Sequence, residues 1–94
     1  MKLIMVIPLE KLLAVLNVSQ KELESKVRTR RLSDARSMIA AFLSSRYYVR
    51  QQKLAEIFRK TQPAVCAMLA RHKLMMQVDY VYKLRYEYLV KEVS

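Results

Sequence analysis

Ninety-four residues are enough for one small domain with one hydrophobic core. The apolar fraction of 53% excludes wholesale disorder, and 18 Lys and Arg against 8 Asp and Glu leave a net charge of +10. Such an excess favours a polyanionic partner, either nucleic acid or an anionic membrane surface.

In chain order, the opening Met-Lys-Leu-Ile-Met-Val-Ile superficially resembles a signal peptide. Its apolar run before Pro8 is shorter than a signal core needs, and no small-residue cleavage site follows. No stretch approaches the roughly 18 apolar residues of a membrane span. The expectation is a cytoplasmic, nucleoid-associated protein with no membrane partner. Glycine is absent and apolar residues recur mostly every three or four positions, so helices are expected throughout.

Leu9, Leu12, Leu13 and Leu16 make a helical stripe after Pro8, a residue suited to a helix start. Asn17-Val18 breaks the pattern. Ser19-Gln-Lys-Glu22 is a capping-box sequence that opens a short second helix with Leu23 inward. Residues 25–33 have few apolar groups and read as a basic loop. Ser33 is placed to cap a third helix whose Ala35, Met38, Ile39, Phe42 and Leu43 form a broad buried face. Tyr47 to Arg50 then links to the next pair of helices.

Leu54 to Met68 has the spacing of a helix-turn-helix. Ala55 is small where two helices must cross closely, and Leu54 and Phe58 share a face of the first helix. Thr61 stands at an N-cap position and Pro63 in the first turn of the second helix, where its missing N–H costs nothing. Val65 and Met68 give that helix its inward face. Such a second helix is the element laid in the DNA major groove.

The tail from Val78 to Val90 fits two patterns. Val78, Tyr80, Tyr82, Leu84, Tyr86, Tyr88 and Val90 alternate as a strand would, while Val78, Val81, Tyr82, Tyr86, Leu89 and Val93 fit one face of a helix. A strand needs a partner, and no hairpin turn follows Pro63, so a helix with Asp79 near its start is expected. Strands there would make a winged helix-turn-helix. The fold expected is all-α, a compact five- to six-helix bundle containing a helix-turn-helix, with residues 1–94 as a single DNA-binding domain.

The charge is clustered. Residues 1–24 are neutral overall, 25–36 carry +4, 46–60 carry +4, 71–85 carry +3 and the last nine carry −1. Clustering beside and within the helix-turn-helix favours nucleic acid over a plain solvated surface.

From Ile7 to Phe58 the chain resembles, without a gap, the C-terminal DNA-binding domain of the bacterial replication initiator DnaA. The matching parts are Val18-Ser-Gln-Lys-Glu-Leu-Glu-Ser-Lys26, Arg28-Thr-Arg30, Ala35-Arg36 and Leu54-Ala55. The likeness continues less strictly to the terminal helix. The resemblance implies a minor-groove contact at Arg28 and a phosphate contact at Arg36. The chain departs from the family where the turn and recognition helix begin. There the family reads Gly-Gly-Arg-Asp-His-Thr-Thr-Val, and this chain has the shorter Arg59-Lys-Thr-Gln-Pro-Ala-Val65. Glycine at such a turn usually accommodates a left-handed backbone, so Arg59 is expected to carry strain or adopt another turn. A chain without glycine also cannot form a glycine-rich phosphate loop, so the initiator's ATPase module is not expected within these residues.

Gln62 can bond adenine N6 and N7 together, and Thr61 can reach a base edge or a phosphate. Arg71 and Lys73 suit phosphates. Arg28, Arg30 and Arg31, close together on a loop, suit a narrow minor groove. Arg50 and Lys60 complete the expected DNA-binding set. Cys66 reads as a small, partly buried filler, His72 as a surface or core-edge group and the terminal tyrosines as core. Cys66 alone excludes an internal disulfide, and with His72 alone it cannot build a metal site. No catalytic set is present, so an enzyme is not expected, nor are a cofactor, a metal or a small-molecule substrate.

The function expected is a sequence-preferring double-stranded DNA-binding module, replication-associated or regulatory in transcription. The alternatives are a protein-interaction adaptor on the same scaffold or a non-specific nucleic-acid binder. A protein partner or a homodimer stays open.

Overall fold

Pro8 precedes the first helix, α1 (Leu9–Leu16), which buries Leu12 completely and leaves Leu9, Leu13 and Leu16 half-buried. The computed structural model describes residues 7–93, and the opening run Met1 to Val6 lies outside them. Asn17 ends α1 in the left-handed conformation, and the Val18 N–H closes the turn on the Leu13 carbonyl at 3.1 Å. The capping box forms as its sequence requires. Ser19 Oγ accepts from the Glu22 N–H at 3.1 Å, and Glu22 Oε1 accepts from the Ser19 N–H at 3.0 Å. This fixes the start of α2 (Gln20–Glu24), with Leu23 buried.

The third helix, α3 (Arg30–Arg46), starts four residues earlier than it would with Ser33 as its cap. Thr29 is the cap, its Oγ1 accepting from the Leu32 N–H at 3.3 Å. Arg30 and Arg31 are therefore in the first helical turn, and the basic loop shrinks to residues 25–29. Burial is also wider than one face, because every residue from Asp34 to Leu43 is buried. The reason is position: α2, the fifth helix and the sixth all pack around α3. Burying an amphipathic surface on all sides of one helix makes it the axis of the core.

Tyr48 bridges to α4 (Gln51–Phe58) in the left-handed region, at φ 54°. Leu54, Ala55 and Phe58 of α4 are buried. Arg59 then turns the chain at φ 53°, and the Lys60 N–H bonds back to the Ala55 carbonyl at 2.9 Å. The left-handed turn that glycine usually serves is thus made here by arginine. Thr61 caps α5 (Gln62–Val78), its Oγ1 accepting from the Ala64 N–H at 3.3 Å, with Pro63 in the first turn. The helix runs on to Val78, five residues beyond Lys73.

The tail is a helix, α6 (Tyr80–Val93), and Asp79 caps it through Oδ1 on the Tyr82 N–H at 3.0 Å. Tyr82, Leu89 and Val93 are buried and Tyr86 is half-buried, a spacing of four and three that continues one stripe. Val78 and Val81, expected on that stripe, are exposed instead, as are Tyr80 and Tyr88. The all-α bundle therefore stands, with six helices and no strand among the described residues. Among them no helix is long and apolar enough to cross a membrane.

His72 joins α5 to α6. Its Nδ1 lies 2.8 Å from the Tyr82 hydroxyl, and its ring meets Tyr86 edge-on at 4.4 Å between centroids. Burial holds the imidazole below the usual histidine pKa and pushes the Tyr82 phenol well above the usual tyrosine value.

The fold favours neutral His72, so its contribution is whole above the unfolded pKa of about 6.5 and is lost as the pH falls through the lower folded value. Thermal melts between about pH 7.5 and about pH 5 should fall more steeply for the wild type than for His72→Phe, which keeps a ring and loses the proton. Parallel slopes would contradict this. At the α4 turn, Arg59→Gly should raise stability by roughly 0.5–1 kcal/mol, because relief of the left-handed strain exceeds the extra unfolded-state freedom of glycine. Urea unfolding measures this, and a lower midpoint for the glycine variant would refute it.

Candidate nucleic-acid interface

The turn after α4 and the Thr61 cap fix where α5 begins, and Val65 and Met68 seat it on the core. The same helical spacing turns the opposite side outward. Gln62, Pro63, Cys66, Ala67, Ala70 and Lys73 are all exposed and form one stripe along the first three turns. Most of these side chains are small, so a surface laid against the stripe approaches the helix backbone closely. Cys66, expected to be partly buried, is on this open face.

A groove lies on each side of the stripe. One is a cleft of about 490 Å³ between the 25–29 loop, the start of α3 and the first half of α5. Lys26, Arg28, Arg36, Lys60 and Arg71 line it, and no carboxylate does among the described residues. The other groove runs between Ala41, Ser44 and Ser45 of α3 and the far side of α5, and Lys73 is at its edge.

Arg36 barely reaches the surface. Its residue is 5% exposed, and its guanidinium is spent on backbone carbonyls. Nε donates to Leu23 at 3.0 Å, Nη1 to Val27 at 2.8 Å, and Nη2 to Glu22 and Ser25 at 2.9 Å each. These are the orphan carbonyls at the end of α2 and in the loop that follows, and a planar fork of donors suits them. The expected phosphate contact at Arg36 is thereby corrected: Arg36 holds the basic loop in place. Lys60 does the same from the other side, its Nζ donating to Ser25 at 2.7 Å and Glu24 at 3.3 Å. Burial holds the Lys60 ammonium below the usual lysine pKa, and the positive charges of Arg36, Arg28 and Lys26 depress it further. Arg36 is lowered by burial first and by Arg28 second.

The remaining expected residues divide by whether an acid neutralises them. Arg30 is ion-paired with Asp79, and Arg31 with Glu22, so neither is an unpaired loop arginine. Arg71 Nη2 stands 2.8 Å from Asp34 Oδ1, off the line of a good hydrogen bond, so the attraction there is mainly Coulombic. Asp34 is itself 3% exposed and also draws Arg85 to 3.4 Å and Arg30 to 3.8 Å, tying α3, α5 and α6 together. Arg28 and Lys73 are exposed and make no ion pair among the described residues. Arg50 is exposed too, but at the start of α4, where it lines a separate groove with Tyr48, Gln52 and Lys53. Thr61 is spent on its cap, and Gln62 is free on the open face.

Three features of the site escape the sequence reading. Lys26 belongs to the cleft, and its basic neighbours were the available signal. Ser33 and Ser37 line the cleft with hydroxyls, and Asp34 is the buried acid between the arginines; neither role has a local sequence signal. Comparison with protein-family models, with curated proteins and with solved structures finds no match to this chain.

Removing the Arg36 guanidinium leaves several loop carbonyls without their donor. Arg36→Met should cost about 2–4 kcal/mol, and Arg36→Lys should recover only part, because a point ammonium cannot serve all of those carbonyls. Urea unfolding measures both, and wild-type stability in the Met variant would contradict the role.

Proposed function

We propose that the protein binds double-stranded DNA, with the first three turns of α5 in the major groove and the 25–29 loop beside it on the phosphates. The observation that carries this reading is the open stripe of small and polar side chains on α5, flanked on one side by a cleft lined with cations and on the other by Lys73. Small residues admit the helix deep into a groove, and unneutralised cations supply the phosphate attraction that dominates affinity. Gln62 is the base-reading candidate, since its amide can pair with adenine. Arg28 and Lys73 are the phosphate contacts, with Arg28 also within the loop that the initiator-like resemblance directs to the minor groove. Arg36 and Lys60 act by holding that loop. The reading agrees with the resemblance of residues 7–58 to the initiator's DNA-binding domain and extends it to a replication-associated or transcriptional role, in the cytoplasm on the nucleoid.

Protein docking is a second reading, favoured by a different surface. Leu74, Val78, Tyr80 and Val81 are exposed around the α5–α6 junction, away from the base-reading candidate. A partner retained after complete nuclease treatment supports it, and loss of all partners on that treatment removes it.

Fluorescence anisotropy of a labelled duplex across a salt series tests the main proposal. Log affinity should fall with log salt at about −0.9 per phosphate engaged. Arg28→Ala and Lys73→Ala should each weaken all sequences alike and reduce that slope by about 1, whereas Gln62→Ala should narrow the gap between the best site and random duplex. The absence of binding at low salt would refute the proposal, and identical effects of the three variants would refute the division of roles.

A further inference from the structure

Lys60 and Arg36 are two cations pulled onto the same neutral oxygen. Lys60 Nζ lies 2.7 Å and Arg36 Nη2 2.9 Å from the Ser25 carbonyl, with no acid between them among the described residues. Lys26 and Arg28 stand on the same cleft and make no ion pair among those residues. By contrast, Arg30, Arg31 and Arg59 each face a carboxylate, as does Arg71, which also lines the cleft. The cleft therefore gathers four cations that the fold leaves uncompensated, and mutual repulsion is part of why Lys60 holds its proton less tightly. An anion seated there relieves that repulsion.

The shape narrows the anion. The cleft, at about 490 Å³, falls within the range of about 300–1,000 Å³ typical of small-molecule sites and exceeds what one phosphate fills. Its rim is cationic, Ser33 and Ser37 add hydroxyls, and Ala64, Ala67 and Met68 make an apolar wall. The Arg28 fork and the Lys26 and Lys60 ammonium groups suit phosphate oxygens, and their spread along the cleft suits linked phosphates better than one.

We infer that the cleft between the 25–29 loop and α5 is a binding site for a phosphorylated small molecule with at least two linked phosphates. The phosphates lie over Lys26, Arg28 and Lys60, and the rest of the molecule lies against Ala64, Ala67 and Met68. This ligand class lies outside the sequence expectation of no small-molecule partner. The same phosphate chemistry occurs in a DNA backbone, so ligand and duplex compete for the loop if both bind. The inference does not require duplex binding.

The full chain, titrated with inorganic tripolyphosphate at about 0.15 M salt and followed by amide NMR shifts, tests it. Saturable binding is expected, with shifts confined to residues 25–37 and 60–71 and affinity at least tenfold above orthophosphate. The double variant Lys26→Gln, Arg28→Gln changes two exposed side chains without ion pairs, so circular dichroism should show an unchanged fold, while tripolyphosphate affinity falls about tenfold or more. A parallel arm adds labelled duplex. Tripolyphosphate binding without duplex binding upholds this inference and removes the DNA proposal. Duplex binding without saturable tripolyphosphate binding overturns this inference and leaves the DNA proposal standing. Non-saturating shifts over the whole basic surface, equal binding of polyglutamate, or an unaltered affinity in the double variant likewise overturn it.

Discussion

The burial of one guanidinium among the carbonyls of another element shapes the basic side of this protein. Arg36 leaves the central helix and takes the backbone oxygens of Glu22, Leu23, Ser25 and Val27 as partners. A buried charge is tolerated only where its donors are satisfied, and here the satisfying groups are the last carbonyls of α2 and two in the loop that follows, which has no helix or strand of its own. The consequence runs both ways. The charge is stabilised by the loop, and the loop is held in one pose by the charge. Lys60, arriving from the turn before α5, shares the Ser25 carbonyl and so couples that pose to the start of the exposed helix.

Two residues earlier on the same helix, Asp34 does the opposite work. It is buried and drawn to Arg30, Arg71 and Arg85, which come from α3, α5 and α6. The two buried charges sort the positive surface into two classes. Around Asp34 three arginines share one carboxylate, with Asp79 also on Arg30, and serve packing. Around Arg36 only neutral carbonyls are present, and the cations nearby keep their field. Of the 18 Lys and Arg, Lys26, Arg28, Arg36 and Lys60 thereby stand together at one cleft beside α5 with no carboxylate in its lining among the described residues.

Turns without glycine add a further constraint. Asn17, Tyr48 and Arg59 all take left-handed backbone angles, and only asparagine does so at little cost. The tertiary packing of the flanking helices over-determines these turns, since Leu54 and Phe58 before the Arg59 turn and Val65 after it are wholly buried. Local preference gives way there because more apolar area is secured by closing the turn than is lost to strain.

The chain alone makes the helices and most of their caps legible, because both are written in near-neighbour spacing. Ser19 and Glu22 stand three apart, Thr61 precedes Pro63, and Leu54, Phe58, Val65 and Met68 repeat at helical intervals; each forms what its spacing requires. It also placed Gln62 and Lys73 on the open side of α5 and Arg28 on the loop. Which charges are free depends on how the helices pack. Arg36 meets partners 9 to 14 residues away, and Arg30 meets Asp79 49 residues away, separations over which periodicity carries no information. The outward turn of Val78 and Val81 and the choice of Thr29 over Ser33 as cap were decided in the same way. A helical pattern states which side chains share a face, whereas the neighbouring helices determine how much of that face is covered and which acid reaches which base.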